Sequence, residues 1–215
     1  ALDENAGQYF STIAGYVTFE DQRLSVNDCY TVDQHVDMAI GNINFVSDVL
    51  VKGDVLPDFS IQAGRNIDIY GSVSGAMLQA EKDIRLQRGI LGQRKSIVKA
   101  SGQFSTKFAN ETTIEVRGNV EIFTEALNSD VGSLKQIRGK QAVFIGGRIA
   151  SVEEMHLGTL GSELGIRTEV FLGQDFSLLR RTDEIRKTLL EMEDLIEGRL
   201  EGLTPQVKHW QTDHL

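Results

Sequence analysis

Apolar residues stand at Val49, Val55, Ile61, Ile67, Val73, Leu78, Ile84, Ile90 and Ile97, at intervals of 6, 6, 6, 6, 5, 6, 6 and 7. An amphipathic helix would space them three and four apart, and a half-buried strand two apart. A period near six, held over this length, points to short strands stacked in coils, three units to a coil. A second pattern marks the coil starts: Asp or Asn, an aliphatic, any residue, another aliphatic. It occurs at Asp48-Val49-Leu50-Val51, Asn66-Ile67-Asp68-Ile69, Asp83-Ile84-Arg85-Leu86 and Asn119-Val120-Glu121-Ile122. Weaker copies begin at Gln103 and Gln141, so successive starts step by 18, 17, 20, 16 and 22. In each copy the two aliphatics share the inward side of a strand and the residue between them faces out. The chain is therefore expected to be mainly β: a three-sided parallel β-helix, or β-solenoid, over residues 36–173, with its regular part ending near 158. The uneven steps depart from the strict 18 of left-handed hexapeptide helices, so a right-handed helix is expected.

The flanks read differently. Residues 1–35 form an N-terminal segment in which Tyr16-Val17-Thr18-Phe19 and Arg23-Leu24-Ser25-Val26 flank Glu20-Asp21-Gln22. This is a β-hairpin placed to cover the first coil, whose strand edges would otherwise invite association. Gly53, Gly71, Gly89 and Gly118 fall near strand ends, where they are expected to supply positive-φ corners. After Ile149 the pattern loosens, with one more strand expected over residues 168–172. Over residues 174–203 the period becomes helical. Ile185, Leu189, Met192 and Ile196 are spaced 4, 3 and 4, an apolar seam of coiled-coil type, with Asp175 placed to cap the start. Arg199 interrupts the seam, and Thr204-Pro205 is expected to end the helix, leaving residues 204–215 as a mobile tail. The seam can pack on another copy, on a returning helix outside this sequence, or on the solenoid flank.

Composition narrows the functional classes. The 215 residues include 21 Gly and only 2 Pro, which suits tight corners between strands that keep their ladder hydrogen bonds. The net charge of −9 opposes nonspecific binding to nucleic acid and an electrostatic membrane anchor. No apolar run approaches the ~20 residues of a spanning helix. Cys29 is the single cysteine, so no internal disulfide forms and a cytoplasmic location is expected. Cys29 itself reads as a small core residue.

Candidate chemistry is sparse. Asp33, His35 and Asp37 alternate and would share one strand face as metal ligands; the plainer reading is an exposed polar face beside the cap. Glu153, Glu154 and His156 are a second possible ligand set, with a solvated loop as the plainer reading. His209 and His214 lie toward the end of the sequence. Gly146-Gly147 and Gly158, Gly161 and Gly165 resemble a phosphate loop only loosely, since no Gly-Lys-Ser/Thr follows, and corners explain them better. The acids Asp48, Asp54, Asp68 and Asp83 are spread among corners rather than clustered for acid–base work. No His occurs between His35 and His156, so the regular coils lack the base of a solenoid acyltransferase.

One family resemblance covers roughly residues 13–200. It rests on Ala14-Gly15-Tyr16-Val17, Gly41-Asn42-Ile43-Asn44-Phe45, Val51-Lys52-Gly53-Asp54-Val55, Ile61-Gln62-Ala63-Gly64, Ile145-Gly146-Gly147 and the run from Gly165 to Gly173, in that order. In these the chain resembles the bacterial flagellar assembly protein A family. The resemblance implies a β-solenoid with a helical appendage and a role in flagellar assembly, motility or its spatial control. It carries over no catalytic residue, so a non-enzymatic scaffold or interaction module with protein partners of unknown identity is expected; with the charge and the short apolar runs above, no nucleic acid, no membrane insertion, and no cofactor or metal are expected. Self-association through the helix is the residue-level expectation, carried by Ile185, Leu189, Met192 and Ile196. The alternative is a carbohydrate-active β-helix enzyme, a polysaccharide lyase or hydrolase. The chain departs from the family pattern at Gln103-Phe104 and Gln141-Ala142. The 22-residue step before Gln141 is expected to hold a looped-out corner. The short helical part and the lack of a family N-terminal domain give the expectation of a piece of a longer protein.

Ile67→Asp is expected to abolish the cooperative urea transition followed by far-ultraviolet circular dichroism, because a carboxylate in so narrow an apolar core has no partner.

Overall fold

A computed structural model describes the backbone of residues 2–3, 8–9 and 11–212, and the side chains of residues 11–196. The chain divides into two compact units, Ala1–Phe176 and Ser177–Leu215. The first holds a parallel β-solenoid, which the described residues wind through eight coils, and the second holds a helix.

Three parallel ladders make the three sides. The first runs through Cys29–Val32, Asp48–Val51, Ile67–Ile69 and the opening parts of Ile84–Leu91, Phe104–Asn110, Val120–Leu127, Gln136–Ile145 and Glu154–Leu160. The second begins as two isolated bridges, Val36 to Val55 and Val55 to Val73, and continues through Val73–Ser74 and the closing parts of those five long strands. The third runs from Ile43–Phe45 through Ser60–Ala63, Met77–Ala80, Ile97–Ala100, Thr113–Val116, Asp130–Ser133 and Gly147–Ser151 to Thr168–Leu172.

The six-residue period marks the inward columns. Ile61, Ile67, Val73, Ile84 and Ile90 have no solvent exposure. Val49, Ile67, Ile84, Phe104, Val120 and Ile137 stack in one such column, one per coil. A fully buried side chain of this size is worth about 1.5–3 kcal/mol relative to exposure, so this one column is a large share of the drive to fold.

Three readings of the repeat change. The solenoid opens at Cys29, one strand before Val36, because Cys29–Val32 pairs in register with Asp48–Val51. Ile97 is half-buried, and Val98 takes the inward place opposite Leu78 and Ile114. The turn at residues 92–95, where Gly92 O accepts from the N–H groups of Lys95 and Ser96, lengthens that interval. Finally, the coil start assigned to Gln141 lies earlier, at Gln136-Ile137, since Ile137 pairs with Val120 and with Met155. The apparent 22-residue step is 17 from Val120 to Ile137, and the surplus sits inside the coil.

The corner between the second and third ladders has its own rule. Gly41, Asp58, Gly75, Gln93, Glu111, Asn128 and Gly146 all have positive φ, and they follow one another by 17 or 18 residues. Left-handed backbone lets the chain turn sharply there while the flanking N–H groups still reach the next coil, as in Asn128 N–H to Ile145 O at 2.7 Å. The glycines singled out in the sequence do something else. Gly53, Gly71, Gly89 and Gly118 have ordinary negative φ; Gly41, Gly75 and Gly146 are among those on the positive side. A Cβ on Gly71 would run into the carbonyl of Gly53, and one on Gly118 into that of Gly102. At Gly53, Gly71 and Gly118 the requirement is close approach between stacked backbones, and at Gly89 it is room for the Phe108 ring, not unusual dihedrals.

The hairpin forms as expected, Tyr16–Glu20 against Arg23–Asn27, with φ of 48° at Asp21 and 61° at Gln22, the signs of a type I′ turn. Tyr16 packs edge-on to Tyr30 at 5.6 Å and to Phe45 at 6.0 Å, which closes the first coil. Helix α1 spans Phe176–Thr212. It runs through Thr204-Pro205, where the sequence had placed its end, and so through most of the expected tail. One proline removes one intrahelical donor, and turns on both sides carry the helix across.

The φ column gives a paired test. Gly146→Ala combines φ of +71° with a clash against Asn128 Oδ1, and is expected to cost about 2 kcal/mol in urea denaturation. Glu111→Gly relieves a left-handed glutamate but adds unfolded-chain entropy, and is expected to shift stability by less than about 1 kcal/mol.

Candidate interaction surfaces

The corner acids come first, because they are the natural place to look for chemistry. Asp48 Oδ1 accepts the backbone N–H of Asn66 at 3.0 Å and its side-chain Nδ2–H at 2.8 Å. Asn66 Oδ1 accepts the N–H of Asp83 at 3.2 Å, and Asp83 Oδ1 that of Gln103 at 2.8 Å. At other corners Asp54 takes the N–H of Ser72 at 2.7 Å and Asp130 that of Arg148 at 3.0 Å. Each of these side chains caps the backbone one coil further on. Buried hydroxyls reach the other way, one coil back: Ser96 Oγ accepts from Ala76 N–H at 3.0 Å and Ser129 Oγ from Thr112 N–H at 3.2 Å.

The first candidate ligand set does not assemble. Asp33 pairs with Lys52 at 2.7 Å, and that hydrogen bond and charge raise the Lys52 ammonium above its usual pKa. His35 Nδ1 accepts the Asp54 N–H at 2.9 Å, and Asp37 accepts the N–H of Ala39 at 2.8 Å. These residues lie in a bent corner rather than along one strand, so they face different partners. Glu154 and His156 do meet, Oε1 to Nε2 at 2.9 Å, and they sit on strand Glu154–Leu160, not in a loop. Among the described residues no three His, Cys, Asp or Glu side chains gather as a metal site.

Gly146 and Gly147 form a positive-φ corner, Gly161 and Gly165 are turns, and Gly158 lies against the carbonyls of Lys140 and Ala142. Cys29 is half-buried beside Thr31, with Tyr30 taking the inward position, so it is not a core residue. The side chain of His209 and all of His214 fall outside the described residues.

The irregularity at Gln141 adjoins a cleft. Between Gly139 and Val143 the seventh coil has three corner residues, where the eighth has Gly158 alone between Leu157 and Thr159. It also has one more than the sixth between matching partners. The corner's exposed residues help to line a cleft of about 460 Å³, with Glu121, Phe123, Arg138, Lys140, Gln141 and His156 among the residues around it. Glu121, Arg138 and His156 belong to one outward column of the first ladder, with Ser105 and Arg85 before them. A smaller neighbouring hollow shares Glu121 and Arg138 and reaches Asp83 and Arg85.

On the third ladder Phe176 is buried. Its ring lies where a side chain on Gly132 would stand, with the Arg148 guanidinium 5.5 Å from its centroid. Arg148 is itself fixed by Asp130, Nη2 to Oδ2 at 2.9 Å. This aromatic anchor was not singled out in the sequence, where it reads as the first residue of a helix. The seam residues Ile185, Leu189, Met192 and Ile196 are 53, 55, 54 and 57% exposed, and all lie on α1.

A family model described as the Flagellar Assembly Protein A beta solenoid domain matches residues 28–211. The chain belongs to the flagellar assembly protein A family. The match opens one residue before the first ladder strand and closes one residue before the end of α1, so the family unit takes in both solenoid and helix. No curated protein matches the chain, and no solved structure does. No helix among the described residues is long and apolar enough to cross a membrane.

The anchor predicts a stability effect at the surface of the solenoid. Phe176→Ala is expected to destabilise it by about 3 kcal/mol in urea denaturation, from lost burial and the lost cation–π contact. Gly132→Val, which evicts the same ring, should act in the same direction. Unchanged midpoints in both variants would show that the ring contributes no stability.

Proposed function

We propose that this chain is a non-enzymatic scaffold and protein-interaction module of bacterial flagellar assembly or motility and its spatial control, acting in the cytoplasm. The observation that carries this reading is the family match over solenoid and helix together. The use of the acids supports it. Asp48, Asp54, Asp83 and Asp130 each hold a backbone N–H of the next coil, and the cleft on the first ladder has one carboxylate, Glu121, among its lining residues. A polysaccharide lyase or hydrolase working by paired carboxylates needs two, about 5–9.5 Å apart, flanking one sugar bond.

The helix supplies the second part of the reading. Four large apolar side chains spaced 4, 3 and 4 stand more than half exposed on one stripe. Burying each is worth about 1.5–3 kcal/mol, and a helix gains much of its stability from such packing. The stripe pairs with a second copy or with a returning helix of a longer chain.

In a motile bacterium, deleting the gene for the intact protein is expected to reduce or misplace flagella, and wild-type protein should pull down flagellar assembly components. A version with Ile185, Leu189, Met192 and Ile196 all changed to Ser should keep the solenoid's urea transition but fail to restore swimming. By light scattering at high micromolar concentration, the present chain should run above monomer mass and the Ser version as a monomer. Two monomers would exclude self-association and leave the returning helix. Normal flagella after deletion, or turnover of an acidic polysaccharide that Glu121→Gln abolishes, would overturn the scaffold reading.

A further inference from the structure

The cleft over the first ladder holds cations that the chain does not neutralise. Arg138 stands next to Glu121 in the outward column, yet its Nη2 turns away and donates to Gln136 Oε1 at 2.6 Å. Among the described residues no carboxylate pairs with Arg138 or with Lys140 on the three-residue corner. Arg85, in the same column, shows the contrasting case: Asp83 and Asp68 hold it at 2.9 and 3.3 Å. His156 closes one side of the cleft and already contacts Glu154. Phe123, exposed by 55%, gives the cleft an aromatic wall. The chain as a whole carries −9, so a cleft that sets two cations and an aromatic ring beside a single carboxylate runs against the overall charge.

We propose that this cleft docks an acidic segment of a partner protein, with Arg138 and Lys140 binding its carboxylates and Phe123 packing on an apolar neighbour. Charge complementarity selects the occupant: two cations in a hollow of about 460 Å³ match a few carboxylates of an extended peptide. A nucleic acid strand needs a longer basic track, of roughly 6–10 phosphate contacts for tight binding. The three-residue corner contributes to the site, since it brings the exposed Lys140 and Gln141 into the same lining as Arg138. The inference rests on the interaction-module reading for the kind of occupant, and goes beyond it in naming the surface and the partner's chemistry.

The test is fluorescence anisotropy of a short Glu-rich peptide carrying fluorescein and one Phe, titrated with the full chain. Binding is expected at low salt and should weaken as salt screens the pairs. Arg138→Gln and Lys140→Gln should each weaken it about tenfold, the loss of one charge-assisted hydrogen bond. Glu121→Gln should tighten it, by removing the cleft's like charge, and Lys95→Gln, whose cation pairs with Asp58 at another corner, should change nothing. These exposed positions spare the core, and matched urea transitions will show it. Absence of binding, binding indifferent to both cation variants, or equal cleft-dependent binding by a single-stranded RNA oligonucleotide would overturn the proposal. Such a failure leaves the swimming result standing, and a failed swimming test leaves the peptide result standing, so the two are told apart.

Discussion

Every coil of this molecule leaves its backbone N–H and C=O groups pointing along the solenoid axis, and only the next coil can satisfy them. With neighbouring parallel strands about 4.8 Å apart, the spacing is fixed and each coil must repeat the path of the one before. Much of the sequence follows from that constraint. Aliphatic residues recur because the same inward position recurs, as in the column from Val49 to Ile137. Asp and Asn recur at corners because the backbone there leaves the ladder and its N–H groups need another acceptor, as Asn66, Asp83 and Gln103 find in Asp48, Asn66 and Asp83. Gly71 and Gly118 occur where the stacked chain passes so near that a Cβ would strike a carbonyl. The ends of the stack need another solution, and at the first coil Tyr16 provides it by packing on Tyr30 and Phe45.

Ion pairs also run from coil to coil, Lys52 to Asp33, Arg85 to Asp68 and Lys99 to Glu115, but they contribute on a different scale. At least one partner in each is about half exposed or more, and exposed pairs are worth roughly 0–1 kcal/mol. Apolar burial and the backbone ladders therefore set stability, while the charges shape the surface that a partner meets. Arg148 is the intermediate case. It is mostly covered, it joins Asp130 to the Phe176 ring, and so a charge pair positions the aromatic anchor at the start of α1.

The inward columns were legible in the sequence because burial acts on side-chain type directly. Ile61, Ile67, Val73, Ile84 and Ile90 carry no polar alternative and lie fully inside. The phase was lost at Ile97 and Gln141 because corner length is free to vary while ladder register is not. A counted period mixes the two. The left-handed corner from Gly41 to Gly146 is as regular as any column, yet it was invisible, since Asp58, Gln93, Glu111 and Asn128 hold the same φ sign as the glycines. A dihedral requirement that several residue types can meet leaves little trace in composition. Phe176 was hidden for another reason: its burial depends on Gly132 and Arg148, which are far from it in sequence and only become its neighbours once the third ladder has formed.

Variation at corners is also where a solenoid can acquire a particular partner. The ladders tolerate almost no change, since a shift of one residue would turn the inward column outward. A corner can gain residues without disturbing either flank, as Lys140, Gln141 and Ala142 show between Gly139 and Val143, both of which keep their partners in the eighth coil. The insertion leaves the core intact, with Ile137 and Phe144 on either side of it fully buried. Ala142 of the insertion joins that core, while the exposed Lys140 and Gln141 alter the surface beside the outward column of Glu121, Arg138 and His156. The position at which the repeat looked most defective in the sequence is for this reason the one at which the surface is least generic. A search for binding surfaces on other stacked folds should begin where the count fails.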